Sequence, residues 1–266
     1  MCRLLAIQSK DAVPLSRVLI GGDNSFAVQS LEHPDGWGMA YYVQGSPHVV
    51  KSVLPAISDA QFERISLSVG SPTLLAHIRR ATTGRIAARN CHPFQFGPWV
   101  FAHNGFIRNY VAVKDELQAK IKDRLRPFII GETDSETLFF LFLSYLEEAG
   151  ELCASQPSER AMGWAITRAI EDVISLGDVG PEVVPHPGEA SRLSVLVSNG
   201  SSMMGVRWGK PLAFQATKTQ RGHELLTISS EVIGSRSPAD AGAWVDLEDK
   251  QYLFVDPSLT LRHAAL

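Results

Sequence analysis

The chain has 266 residues, 45% of them hydrophobic and 20% charged, with a formal net charge of −3. A mean hydropathy of +0.01 and a pI near 6.2 are those of a globular protein with ample material for a core. They give no basic footprint for nucleic acid and no apolar run long enough for a membrane span. Three cysteines, Cys2, Cys91 and Cys153, do not make a disulfide framework. The opening residues show no charged leader or signal core, so a reducing cytoplasm is the expected setting.

In chain order, Leu4 to Ile7 reads as a short buried strand. Ser9 to Asp35 reads as loop with a short helix around Pro14–Ile20. Met39 to Val43 and His48 to Leu54 read as a hairpin across Gln44-Gly45-Ser46-Pro47. Asp59 is placed to cap a helix running to Ser68. Thr73 to Ile78 is the next strand, and Arg79 to Gly84 the loop after it. Trp99 to His103 is an apolar strand expected to stop at the turn signal Asn104-Gly105. Asn109 is placed to cap a helix to about Lys122. Thr133 and Glu136 fit a capping box ahead of a buried helix ending at Glu148. Ser158 to Leu176 carries an apolar stripe at helical spacing, and Gly177 to Ser191 reads as a loop. Leu193–Val197, Met203–Trp208, Leu225–Ser229, Ala243–Leu247 and Tyr252–Val255 read as strands. Strands, two adjacent helices and strands again suggest two packed sheets covered by helices, in one domain over 1–266.

The chemistry is concentrated at the start. A strand beginning at Leu4 would hold Cys2 rigidly. If an aminopeptidase removes Met1, Cys2 carries both a thiol and a free α-amine. Their ordinary pKa values, about 8.5 and 7.7–8.0, allow the amine to take the thiol proton near neutral pH. The alternative is that Cys2 is a small buried hydrophobe.

Six segments occur in a telling order: Met1-Cys2; Asp35-Gly36-Trp37-Gly38; His77-Ile78-Arg79-Arg80-Ala81-Thr82-Thr83-Gly84; Asn90-Cys91-His92-Pro93; His103-Asn104-Gly105; and Thr133-Asp134-Ser135-Glu136. This set resembles the type-2, N-terminal-nucleophile (Ntn) glutamine amidotransferases. Ser198-Asn199-Gly200 leading to Arg207, and Ser229-Ser230-Glu231 leading to Trp244, resemble later landmarks of the stand-alone branch, which includes the ergothioneine-pathway γ-glutamyl amidohydrolase. The resemblance implies an α/β (α+β) fold, the Ntn-hydrolase four-layer α/β/β/α sandwich with two packed, mainly antiparallel sheets, spanning 2–266 once Met1 is removed. It implies cysteine-dependent hydrolysis of glutamine or a γ-glutamyl amide through a thioester, with no cofactor and no metal. A silent glutaminase subunit feeding ammonia to a separate synthase partner is a second expectation, and a non-catalytic glutamyl-binding module a third. Neither nucleic acid nor membrane is an expected partner, and oligomeric state is unreadable.

By this resemblance Cys2 is the nucleophile, and Asn104 and Gly105 form the oxyanion hole; a plain Asn-Gly turn is the alternative. Arg79 matches the substrate α-carboxylate with its planar fork, and Asp134 holds the α-ammonium. For these two, the alternatives are a surface salt bridge and a charge at a helix start. Thr82 adds hydrogen bonds, and His92 shapes the pocket wall. Groups near Trp37 and in later loops are expected to contact the leaving group. Arg80 and Thr83 depart from the Trp and His common in synthase-fused members, which favours hydrolysis over channelled ammonia. His77, His92 and His103 invite a zinc reading, but their spacing fits no metal pattern.

Overall fold

The computed structural model describes residues 2–179, 189–218, 222, 224–233 and 244–266. Labels follow chain order. One sheet contains β1 (Arg3–Pro14), β2 (Trp37–Val43), β3 (Ser46–Ser52), β4 (Gly70–Ile78), β9 (Ala213–Lys218), β10 (Glu224–Ser229) and β11 (Val245–Asp246). The other contains β5 (Phe94–Phe96), β6 (Trp99–Phe106), β7 (Arg192–Ser198), β8 (Met203–Arg207), β12 (Gln251–Val255) and β13 (Leu261–Ala265). Their orders are β11-β9-β10-β1-β4-β2-β3 and β13-β12-β8-β7-β6-β5, and all the pairings described are antiparallel. The helices are α1 (Ser16–Leu19), α2 (Phe26–Gln29), α3 (Ala60–Ser68), α4 (Tyr110–Ala119), α5 (Asp134–Glu148) and α6 (Glu159–Gly177).

Strand alternation sorts the apolar side chains into three cores. On β1, Leu5 and Ile7 join Phe26, Trp37 and Phe62 beneath the short helices. Leu4 and Ala6 point the other way and meet Leu75, Ala102 and Leu196 between the sheets. On β6, Phe101 faces the helices and stacks on Phe139 of α5, with ring centroids 5.1 Å apart, while Val100 and Ala102 face the first sheet. The layers are therefore short helices, sheet, sheet, long helices. Helix α5 is apolar nearly all round because α4, α6 and β6 surround it.

Several expectations need correction. Strand β6 does not stop at Asn104-Gly105: it runs to Phe106, with Asn104 opposite Ser194 and Gly105 opposite Leu193. Glycine is needed there for close approach, since a Cβ would lie 1.8 Å from the Arg192 carbonyl oxygen. Strand β1 continues past Ile7 to Pro14, shifting register between Gln8 and Val13. The hairpin turn is only Gln44-Gly45, both at positive φ, so Pro47 falls in the edge strand β3 where its missing N–H is tolerated. Asn109 is left-handed and does not cap α4; its side chain instead donates to the Gly177 carbonyl at 3.1 Å. Only half the capping box forms: Thr133 accepts from the Glu136 amide, but the Glu136 carboxylate turns back to the amides of Ile130 and Gly131. Most of the loop expected after Gly177 and Ala243 of the expected fourth late strand lie outside the described residues. Asp59 caps α3 as expected, and Ser158, read as the first residue of a helix, caps α6. No helix among the described residues is long and apolar enough to cross a membrane.

Candidate active site

The site lies at one end of the inter-sheet layer, where the inward faces of β1, β4 and β6 run out of apolar residues. Cys2 is one alternation before Leu4. His77 is two residues beyond Leu75, Arg79 two more, and Asn104 two beyond Ala102. The β1–β4 register pairs Arg3 with Ile78, which sets Cys2 opposite Arg79. The Cys2 thiol approaches the Arg80 carbonyl at 3.4 Å, and the Arg80 amide donates to sulfur at 3.3 Å. Burial pushes the Cys2 thiol pKa up, against the pull of that amide and of the Arg79 guanidinium.

The start of β1 is braced by the segment after β10. The Ser229 hydroxyl donates to the Leu4 carbonyl at 3.1 Å, the Leu4 amide donates to the Ser230 hydroxyl at 2.9 Å, and Arg3 pairs with Glu231 at 2.5 Å. The Ser229-Ser230-Glu231 landmark thus fixes the backbone that carries Cys2.

Arg79 is 3% exposed, with no ion pair among the described residues, so the surface salt-bridge alternative fails. Its guanidinium donates to the carbonyls of Arg85 (3.0 Å), Thr83 (2.9 Å) and Gly84 (3.3 Å), so it shapes the loop after β4 as well as lining the pocket. Asp134 opens α5, where the helix dipole favours a carboxylate. Its Oδ2 accepts from the Ile107 amide at 2.7 Å, and Oδ1 from the Ser135 amide at 2.9 Å.

Cys2, Arg79, Thr82, His92, Gly105 and Asp134 all line one small pocket. Asn104 does not line it, but is the next residue on β6. It is 5% exposed, and its carboxamide has no hydrogen-bond partner among the described residues. Trp37 is not at the site. It is buried in the outer core against Phe62, and its indole donates to Asp59 at 3.0 Å, because the alternation of β2 turns it away from the second sheet. Cys91 is buried beneath Gly36, outside the pocket lining, and Cys153 is exposed.

Three histidines, His77, His92 and His103, line the same pocket. The His103 Nε2 faces the Arg192 carbonyl at 2.9 Å and therefore carries the proton, leaving Nδ1 to accept from the Ser135 hydroxyl at 2.8 Å. The His77 and His92 rings are 4.2 Å apart; both nitrogens of His77 and the Nδ1 of His92 lack a hydrogen-bond partner among the described residues. Burial lowers the pKa of all three, so they are neutral at pH 7. Among the described residues, no group of three or more His, Cys, Asp or Glu is placed to hold a metal ion. Sequence reasoning missed Ser135, Asn90 and Glu132 as supports of the site, although all three lie inside or beside the quoted segments.

A four-layer sandwich with a cysteine at the head of a central strand is the Ntn-type arrangement expected from the sequence. The model of the class-II glutamine amidotransferases matches residues 1–180, and the chain belongs to that family. A Saccharomyces cerevisiae protein described as a probable glutamine amidotransferase is 30% identical over 228 residues, covering 78% of this chain and 64% of that protein. A Methanocaldococcus jannaschii protein is 35% identical over 153 residues, but only 39% of it is covered. The chain therefore spans less than two thirds of either. The gamma-glutamyl-hercynylcysteine sulfoxide hydrolase of Mycobacterium tuberculosis is 23% identical, covering 96% of this chain and 93% of that protein. Among solved structures, a glutamine aminotransferase class-II domain protein from Silicibacter pomeroyi superposes with a TM-score of 0.67 at 23% identity, covering 99% of both chains. The glutamine phosphoribosylpyrophosphate amidotransferase of B. subtilis gives 0.64 at 15% identity, covering 99% of this chain and 49% of that one. These structural likenesses agree with the expected fold.

Proposed function

We propose that this protein hydrolyses the γ-carboxamide of glutamine or of a γ-glutamyl amide, with Cys2 as nucleophile and residues 2–266 as one catalytic unit. The observation that carries the reading is the convergence of Cys2, Arg79, Gly105 and Asp134 on one pocket, from four separate strand and helix ends.

In this reading Met1 is removed and the Cys2 α-amine takes the thiol proton. Sulfur bonds to the γ-carbonyl carbon, and the carbonyl electron pair moves onto oxygen. The Asn104 carboxamide and the Gly105 N–H stabilise that oxyanion. The C–N bond then breaks, the ammonium returns its proton to the leaving nitrogen, and a thioester remains. Water attacks the thioester, the C–S bond breaks, and glutamate and the free thiol result. Arg79 and Asp134 hold the α-carboxylate and α-ammonium, Thr82 adds a contact at the rim, and His92 forms the wall. A cytoplasmic setting keeps the thiol reduced.

The test is intact mass after treatment with a glutamine-mimicking diazo-ketone, together with assay of glutamate release from glutamine and γ-glutamyl amides. The expected result is a chain lacking Met1, labelled once on Cys2. No release from a chain shown to lack Met1 rules the reading out. The match to half of the B. subtilis chain supports a second reading, in which the ammonia goes to a separate synthase. Activity that appears only with a co-purifying partner would favour it.

A further inference from the structure

Glu132 stands immediately ahead of Thr133, the residue that caps α5, and reaches across to the loop that follows β4. Its Oε1 accepts from the guanidinium groups of Arg85 at 3.0 Å and Arg89 at 2.8 Å. Its Oε2 accepts from the Arg85 amide at 3.2 Å and the Asn90 carboxamide at 3.3 Å. The Glu132 amide returns a bond to the Asn90 Oδ1 at 2.9 Å, and the Asn90 Nδ2 also donates to the Arg85 carbonyl at 3.0 Å. Asn90 is fully buried.

The pattern is two-sided. From inside the pocket, Arg79 holds the carbonyls of Thr83, Gly84 and Arg85. From outside, Glu132 holds the amide and side chain of the same Arg85. The loop carries Arg79 and Thr82, and the helix start carries Asp134. Glu132 is the carboxylate that joins them.

We infer that Glu132 is a positioning residue: it clasps the 79–90 loop to the start of α5 and so sets the spacing between the two halves of the glutamyl pocket. The inference rests on the function proposed above. Global stability is a poor explanation for the cluster, because the Arg85 side chain is 81% exposed and the Arg89 side chain 45%, and exposed ion pairs contribute little. Fixing a loop that carries binding groups is a different matter, since a small misplacement of such groups is expensive in rate. The two guanidinium groups hold the Glu132 carboxyl down to about 2, so the clasp is charged at every ordinary assay pH.

The test compares wild type with Glu132→Gln and Glu132→Ala, using the γ-glutamyl amide that wild type turns over best. The expected result is a KM raised about tenfold with kcat changed by less than about threefold, as for lost positioning. The wild-type KM should also rise with salt toward the variant value, because exposed charges are screened. Limited trypsin digestion gives a readout independent of activity. Arg80, Arg85 and Arg89 are cleavage sites within the loop, and the variants should be nicked there faster at an unchanged thermal midpoint. Unchanged KM and unchanged nicking overturn the clasp. If wild type releases no glutamate from any substrate, the function fails, and the digestion alone decides the clasp. If the Glu132 variants do not fold, the Arg85→Gln/Arg89→Gln double variant carries the same KM prediction at exposed positions.

Discussion

The inter-sheet layer ends differently on its two sides. At the end away from Cys2, polar groups close it. The Tyr42 hydroxyl lies 2.7 Å from the Pro98 carbonyl and 3.1 Å from that of Ser198, and the Thr73 hydroxyl donates to the Gly200 carbonyl at 3.1 Å. At the Cys2 end, both ring nitrogens of His77 and the Nδ1 of His92 are buried without a hydrogen-bond partner among the described residues. A buried polar group left unpaired costs free energy, and the Cys2 end gathers three such atoms around one pocket. One end ties the sheets together; the other opens onto the pocket that Cys2 lines.

The strongest way to break this contrast is Cys2→Ala. Glutamate release should fall at least about 10³-fold while the thermal midpoint holds, because only the nucleophile is lost. Gly105→Ala comes next. Its Cβ would press on the Arg192 carbonyl and on His103, so the strand must shift. Turnover should fall about 10²- to 10³-fold, the range for a lost oxyanion donor, with a measurable loss in urea midpoint.

Acid should weaken the open end. Burial lowers the pKa of His77, His92 and His103, and that of His33 to about 4. Each then binds fewer protons folded than unfolded. Its contribution is complete above the unfolded value of about 6.5 and drains away as pH falls toward the folded value. Urea midpoints should be level near pH 8 and decline from about pH 6.5 downward; a midpoint flat to pH 4.5 would contradict the assignment. The smallest effect belongs to the closed end. Tyr42→Phe should cost about 1–2 kcal/mol in urea unfolding, by removing the hydroxyl's hydrogen bond to the Pro98 carbonyl, with kcat/KM unchanged.

Much of this site was legible in the residues, and the failures are instructive. Cys2 stood out by its place just ahead of an apolar strand, whereas Arg79, Gly105 and Asp134 came only through the family resemblance; the structure sets all four around one pocket. Asn104-Gly105 misled as a turn: the dipeptide is also what a strand needs where a second backbone, here Arg192, presses against it. Trp37 misled because its facing depends on the phase of β2, which only pairing with β4 sets. Strands β5, β9 and β13 were unread because they are short or polar-edged and are held by neighbours rather than by their own pattern. The Glu132 clasp needed two segments more than forty residues apart to be seen together.

The position of Cys2 also has a practical side. An affinity tag fused ahead of it would be joined to a residue that lines the pocket. It would leave the α-nitrogen locked in an amide. Tags belong at the other terminus, where β13 borders the far edge of the second sheet, well away from β5 and β6.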